Sequence, residues 1–128
     1  IVKKLYEARV FGNIKEDNGF IDLPLIVDWP NRPLQKIDAK EGKSALTHWQ
    51  VLDREGDVTR VALMPETGRT HQLRVHMMSL GHTILGDRFY GNVAEINLAN
   101  ELQLHAKDLI IIHPKNGKKI TFKAPLPF

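Results

Sequence analysis

Ala45-Leu46-Thr47-His48-Trp49-Gln50-Val51-Leu52, the turn Glu55-Gly56-Asp57, and Thr59-Arg60-Val61-Ala62-Leu63-Met64 decide the fold class. In the first stretch Thr47, Trp49 and Val51 alternate with His48, Gln50 and Leu52, a period of two that sends successive side chains to opposite faces of a strand. Thr59–Met64 reads as a second strand, and the polar, glycine-centred turn joins the two as an antiparallel hairpin. The same alternation marks Lys4–Val10, with Tyr6, Ala8 and Val10 on one face. Phe20–Val27 is apolar but holds Pro24, which suits an edge or irregular strand. Asp28–Pro33 is a stiff loop, because its two prolines fix φ.

After the hairpin, Pro65–Thr70 is a loop, and Thr70 is placed to N-cap a helix over His71–Leu80 that Gly81 closes. Leu73, Met77 and Leu80 fall at i, i+4 and i+7 and form its buried stripe. Gly81–Gly91 is glycine-punctuated and irregular. Val93–Glu101 reads as a short helix, and Leu104–Ile112 as strand-like in its second part. Pro114-Lys115-Asn116-Gly117 is a turn signal leading to Ile120–Lys123 and a second hairpin. Strands dominate, with one or two helices between them. The expected class is α+β with a mainly antiparallel sheet, in one domain over residues 1–128.

Composition narrows the function classes. At 128 residues with 42% hydrophobic and 26% charged residues, the chain is long enough to bury a core and is not a disordered tail. The longest apolar run, Leu109–Ile112, is far short of the ~18 residues that span a bilayer. No basic-then-apolar leader is visible, and the chain opens Ile1-Val2-Lys3-Lys4 without Met, as an excised piece of a longer protein would. There is no cysteine. That excludes disulfides, thiolate zinc sites and cysteine catalysis, and fits a reducing, cytoplasmic setting. The net charge of +3 is mild, yet the surplus is uneven. Residues 1–64 carry 10 Lys/Arg against 10 Asp/Glu, residues 65–128 carry 8 against 5 and five of six histidines. The surplus hints at a polyanionic partner.

The densest polar cluster is Thr67-Gly68-Arg69-Thr70-His71-Gln72-Leu73-Arg74-Val75-His76, where a loop becomes a helix. Free N–H groups and the helix dipole favour an anion there, and Arg69 and Arg74 offer forked hydrogen bonds to phosphate or carboxylate. A capped helix with solvated arginines is the plainer alternative. His71 and His76 are about 500° apart around a helix, so they share no face, and no metal-ligand pattern accompanies them. Asp87 and Arg88 lie in a loop that is either structural or close to a ligand. No paired carboxylates and no serine-hydrolase elbow are present. Trp29, Trp49 and Phe122 read as core residues rather than base-stacking platforms. Tyr6 is strand core by default, and a stacking platform if its face meets a cleft.

The cluster Thr67–His76 resembles the signature of the RluA family of pseudouridine synthases. Gly81-His82-Thr83-Ile84-Leu85-Gly86-Asp87-Arg88-Phe89-Tyr90-Gly91 resembles the family's next block. Leu104-His105-Ala106 with His113-Pro114 resembles its C-terminal block, and Lys4-Leu5-Tyr6-Glu7-Ala8 the strand that supplies its active-site tyrosine. Leu23-Pro24-Leu25-Ile26 with Asp28-Trp29-Pro30-Asn31-Arg32-Pro33 is similar to the branch acting on both 23S ribosomal RNA and a tRNA anticodon stem-loop. The resemblance implies the partial fold of a pseudouridine synthase catalytic domain and an isomerisation of uridine in RNA, with no cofactor, metal or membrane. It implies Tyr6 as platform for the flipped base and a candidate for removing the C5 proton, and Arg74 as partner of the catalytic aspartate. Arg69, His71, Gln72, His76 and Arg88 are implied RNA-binding residues, with His76 packed beneath the pocket.

One departure matters. The family's catalytic aspartate belongs to a His-Arg-Leu-Asp motif upstream of the tyrosine strand, and no such motif occurs in this sequence. The expectation is therefore the C-terminal portion of a catalytic domain, inactive by itself. A non-catalytic RNA-binding module on the same scaffold is the alternative.

Overall fold

The computed structural model describes residues 2–112, 119–123 and 126–128. The alternating stretches become strands β1 (Val2–Phe11), β2 (Asn18–Asp22), β3 (Leu25–Val27), β4 (Gln35–Ile37), β5 (Leu46–Arg54), β6 (Val58–Pro65), β7 (Leu104–Ile112) and β8 (Lys119–Lys123), with helices α1 (Gln72–Ser79) and α2 (Val93–Ile96). Six strands form one sheet in the order β2-β5-β6-β1-β7-β8, and β3 and β4 make a separate ribbon. Every strand pair is antiparallel. The class is α+β, as the alternation implies.

The inner sheet face is the main core. Ala8 and Val10 of β1, Trp49 of β5 and Val61 and Leu63 of β6 are buried there, with Tyr6 packed against them. α1 lies on this face through Leu73 and Met77. Its Val75 instead joins Leu25 and Ala45 in a second, smaller cluster. The helix is thus wedged between the sheet and the β3–β4 ribbon. On the outer face, buried Glu7 takes Arg60 at 2.8 Å and Lys107 at 3.1 Å. Burial alone would raise the Glu7 pKa, but those two cations hold it below the usual carboxylate range.

Several local expectations change. Phe20–Val27 is not one strand. It breaks at Pro24, which has no N–H for a ladder, so β2 stays in the main sheet while β3 leaves it to pair with β4. The Val93–Glu101 helix is one turn only, Val93–Ile96, started by a capping box between Asn92 and Glu95. It buries no residue that would extend it, and the chain then turns back so that Gln103 N–H donates to Leu85 O. Thr70 is not the N-cap of α1. His71 is, in the left-handed region at φ 55° and without a side-chain cap. Trp49 is core, but Trp29 is 66% exposed, because it stands on a 3-10 turn, Trp29–Asn31, at the ribbon's tip. The Phe122 side chain and the turn at Pro114–Gly117 lie outside the described residues.

Gly86 holds the irregular loop in place. Its φ is +76°, and a Cβ there would collide with the Glu101 carbonyl. Gly86→Ala combines a left-handed penalty of about 1–2 kcal/mol with that collision. It should lower unfolding free energy by at least ~2 kcal/mol in urea denaturation, and an unchanged midpoint would contradict this packing.

Candidate active site

β6 runs beside β1, with Tyr6 opposite Leu63, and leads straight into the loop that carries Thr67–Arg69. The same loop opens α1. This topology brings Tyr6 and Arg74 to one cleft of about 300 Å³, which Gly68, Arg69, His71 and Leu104 also line.

Arg74 is held rigidly. Its Nε donates to Asp87 Oδ2 at 3.0 Å and its Nη2 to Asp87 Oδ1 at 2.6 Å. Asp87 is wholly buried at 0% exposure. Its Oδ1 also accepts the N–H groups of Phe89 and Tyr90 at 3.0 and 3.1 Å. A buried carboxylate needs this many donors to stay charged. The guanidinium carbon lies 4.8 Å from the Phe89 ring centroid and 5.5 Å from that of Tyr90, so aromatic faces complete its seat. Arg74 Nη1 has no hydrogen-bond partner among the described residues. Asp87 is thus no free ligand group; it is an anchor.

His71 joins the cleft to the ribbon. Its Nδ1 lies 2.8 Å from the Tyr90 hydroxyl, which also accepts the Gln35 N–H at 2.9 Å. Burial, followed by the charge of Arg74, lowers the His71 pKa, while Asp87 opposes them. Burial raises the Tyr90 pKa. Near neutral pH the pair is therefore uncharged, and the tyrosine hydroxyl and Nδ1 share one hydrogen bond.

Two expected RNA contacts are corrected. His76 is at 0% exposure, with Nδ1 2.8 Å from Thr47 Oγ1 and Nε2 2.9 Å from Leu23 O. It is spent inside the fold and cannot touch RNA. Gln72 is 3% exposed. Its Oε1 accepts from Thr67 Oγ1 at 2.7 Å and Arg69 N at 3.1 Å. Its Nε2 donates to Leu46 O at 3.1 Å and Thr47 Oγ1 at 2.9 Å. Every side-chain oxygen and nitrogen of Gln72 is engaged, so it pins the loop to β5 rather than reading a ligand. Thr47 Oγ1 then meets His76 Nδ1, and His76 Nε2–H donates to the Leu23 carbonyl, which fixes a proton on Nε2, while burial disfavours the charged ring.

Arg69 and Arg88 are exposed. Arg69 Nε donates to Ser44 O at 2.9 Å. Gly68 and Arg69 also border a second cavity of about 450 Å³, walled by Val27 and Gln35 of the ribbon and by Lys43. No group of three or more metal-ligating side chains gathers among the described residues. No described helix is long and apolar enough to cross a membrane. Sequence reading missed Asp87 as the partner of Arg74 and Tyr90 as the partner of His71. The only signal was the glycine bracket around that loop.

The cleft thus joins a tyrosine of the central strand β1 to an arginine in the first turn of α1. The sequence profile described as RNA pseudouridylate synthase matches residues 2–79. The chain is 54% identical over 127 residues to the dual-specificity RNA pseudouridine synthase RluA of Yersinia pestis, covering 98% of this chain and 62% of that protein. It is likewise 54% identical to RluA of Escherichia coli K12, covering 58% of it. The structure of human RNA pseudouridylate synthase domain containing 1 superposes with a TM-score of 0.82 at 35% identity, over 99% of this chain and 56% of that one. The chain belongs to the RluA family of pseudouridine synthases, and it spans a little over half the length of these relatives.

The neutral His76 has a pH consequence. Burial lowers its pKa from the ordinary 6.5, although the Leu23 carbonyl and Asp22 oppose this. Below about pH 6.5 the unfolded chain binds a proton that the native chain refuses, so acid favours unfolding. Urea midpoints should fall as pH drops from about 8 to about 5, and the fall should be shallower in His76→Gln. Equal slopes in the two proteins would remove His76 from this role.

Proposed function

We propose that residues 1–128 form the C-terminal portion of a catalytic domain that isomerises uridine to pseudouridine in RNA. The substrates are 23S ribosomal RNA and a tRNA anticodon stem-loop, and the reaction takes place in the cytoplasm. The observation that carries the reading is the meeting of Tyr6 and Arg74 in one cleft. The relatives named RluA support the substrates through their dual specificity, and the partial coverage of those relatives supports the assignment to a portion of a domain.

In the reaction the N-glycosidic bond breaks, the base turns, and C5 rejoins the sugar. The target nucleotide has to leave its stack, which calls for a pocket with an aromatic platform. Tyr6, which lines the cleft, serves as that platform and takes the C5 proton. Arg74 presents its unpaired Nη1 edge to the catalytic carboxylate, which this sequence does not supply in a His-Arg-Leu-Asp motif. An ionised carboxylate in a closed pocket needs such a cation. Asp87 fixes the far edge of the guanidinium, so little reorganisation is needed when the second carboxylate arrives. Arg69 at the rim and the exposed Arg88 take backbone phosphates, and His71 lines the pocket as a neutral ring.

This chain alone should release no tritium from C5-labelled uridine in RNA above the protein-free background. Turnover by the purified chain would end the claim that its carboxylate is missing. In the parent protein, Arg74→Ala should cut the single-turnover rate at saturating RNA by about 10²-fold or more while affinity changes little. Arg69→Ala should do the reverse, weakening RNA of any sequence and reducing the salt slope by about 0.7. An Arg74→Ala protein that lost affinity but kept its rate would move Arg74 to the phosphate-binding set.

A further inference from the structure

Trp29 belongs neither to the core nor to the cleft. It is 66% exposed, and an indole left in water is a standing cost unless something covers it. One face is already covered from within the loop, where the Arg32 guanidinium carbon lies 3.9 Å from the ring centroid. The loop itself is stiff. Asp28 N donates to Leu34 O at 2.8 Å, Asn31 N to Asp28 O at 2.9 Å and Asn31 Nδ2 to Asp28 Oδ2 at 3.0 Å. Pro30 and Pro33 fix two more torsions. The ring is therefore held in place with a free face before any ligand arrives, and preorganisation of this kind lowers the cost of binding.

Its position suits a strand of RNA. The ribbon that carries Trp29 at its tip walls the second cavity with Val27 and Gln35, and that cavity shares Gly68 and Arg69 with the cleft. A chain leaving the cleft past Arg69 and Lys43 runs along the ribbon toward Trp29, two residues beyond Val27 and thus within about 7 Å of it along the backbone. Of the nearby carboxylates, Asp28 takes Asn31 and Asp38 takes the N–H groups of Lys40 and Glu41, while Glu41 lines the cavity together with Lys43 and Arg69, two cations that offset its charge. Arg32 lies against the indole, and the same loop exposes polar Asn31 beside Pro30 and Pro33. A nucleobase needs only a flat face and a cation for its phosphate, and the indole with Arg32 offers both.

We propose that Trp29, backed by Arg32, stacks an unpaired nucleobase of the substrate beside the target nucleotide, so that the ribbon's tip selects a single-stranded loop over a duplex. The proposal rests on the RNA reading above and deepens it. The chain has two tryptophans, and Trp49 is buried, so an emission change on adding RNA reports Trp29. The probes are an RNA hairpin with a uridine in its unpaired loop and a fully paired RNA duplex of equal length. The hairpin should quench the emission and the duplex should not. Trp29→Ala should bind the hairpin about tenfold more weakly with an unchanged salt slope, and Trp29→Phe should recover most of the loss. Arg69→Ala should lower the slope and keep the quench. Equal affinity in Trp29→Ala without quenching in the parent chain, or equal quenching by the duplex, overturns the stacking role while salt-dependent binding leaves the RNA reading standing. If the chain binds neither RNA at low salt, both fall together.

Discussion

The forked pair between Arg74 and Asp87 is the contact on which the cleft's shape depends. Asp87 has no access to water, so each of its oxygens must be satisfied by the protein. Arg74 supplies two donors, and the Phe89 and Tyr90 N–H groups supply two more. Breaking such a pair by removing one partner costs about 3–5 kcal/mol, far more than a surface ion pair contributes. The carboxylate therefore dictates where the loop after α1 can lie. That loop in turn places Tyr90, whose hydroxyl ties His71 to Gln35 of the ribbon. One buried charge thereby orders an arginine, a histidine and the neighbouring strand pair.

A second set of bonds fixes the helix itself. Gln72 gathers Thr67, Arg69, Leu46 and Thr47, and Thr47 hands the chain of donors on to His76 and Leu23. Each neutral bond is worth only about 1 kcal/mol net, but a stranded buried group costs about 1–3 kcal/mol. The network therefore acts mainly by exclusion. Any other seating of α1 leaves several polar groups unpaired. This explains why a helix of low amphipathic character is buried on two sides.

The sheet was legible because its faces differ. Ala8 between Glu7 and Arg9 and Trp49 between His48 and Gln50 alternate with polar partners, and both are buried. The hairpin at Gly56 and the helix stop at Gly81 were legible from local turn chemistry. Arg74 stood out as an anion-binding arginine at a helix start, but its pairing with Tyr6 came only by resemblance, since periodicity marks Tyr6 as core by default. What stayed hidden depends on distant partners. Nothing local to Asp87 says that Arg74 will cover it, and nothing local to His76 says that a helix histidine will be dry. Trp29 misled for the opposite reason. Large aromatics are usually buried, and only the position of its turn at the tip of a small ribbon puts it in water.

The place of β1 in the sheet governs how the molecule comes together. This strand leads in sequence yet lies between much later neighbours, with Tyr6 opposite Leu63 on one side and Ala106 on the other. Pairings so distant along the chain make for slow folding, because loop closure precedes any gain from contact. Until β7 arrives, one flank of β1 offers bare N–H and C=O groups, the template on which strands of other chains add. Leu104, at the start of β7, is also a wall of the cleft. The pocket consequently closes only with the last central pairing, and a molecule trapped before that step has no binding site to display.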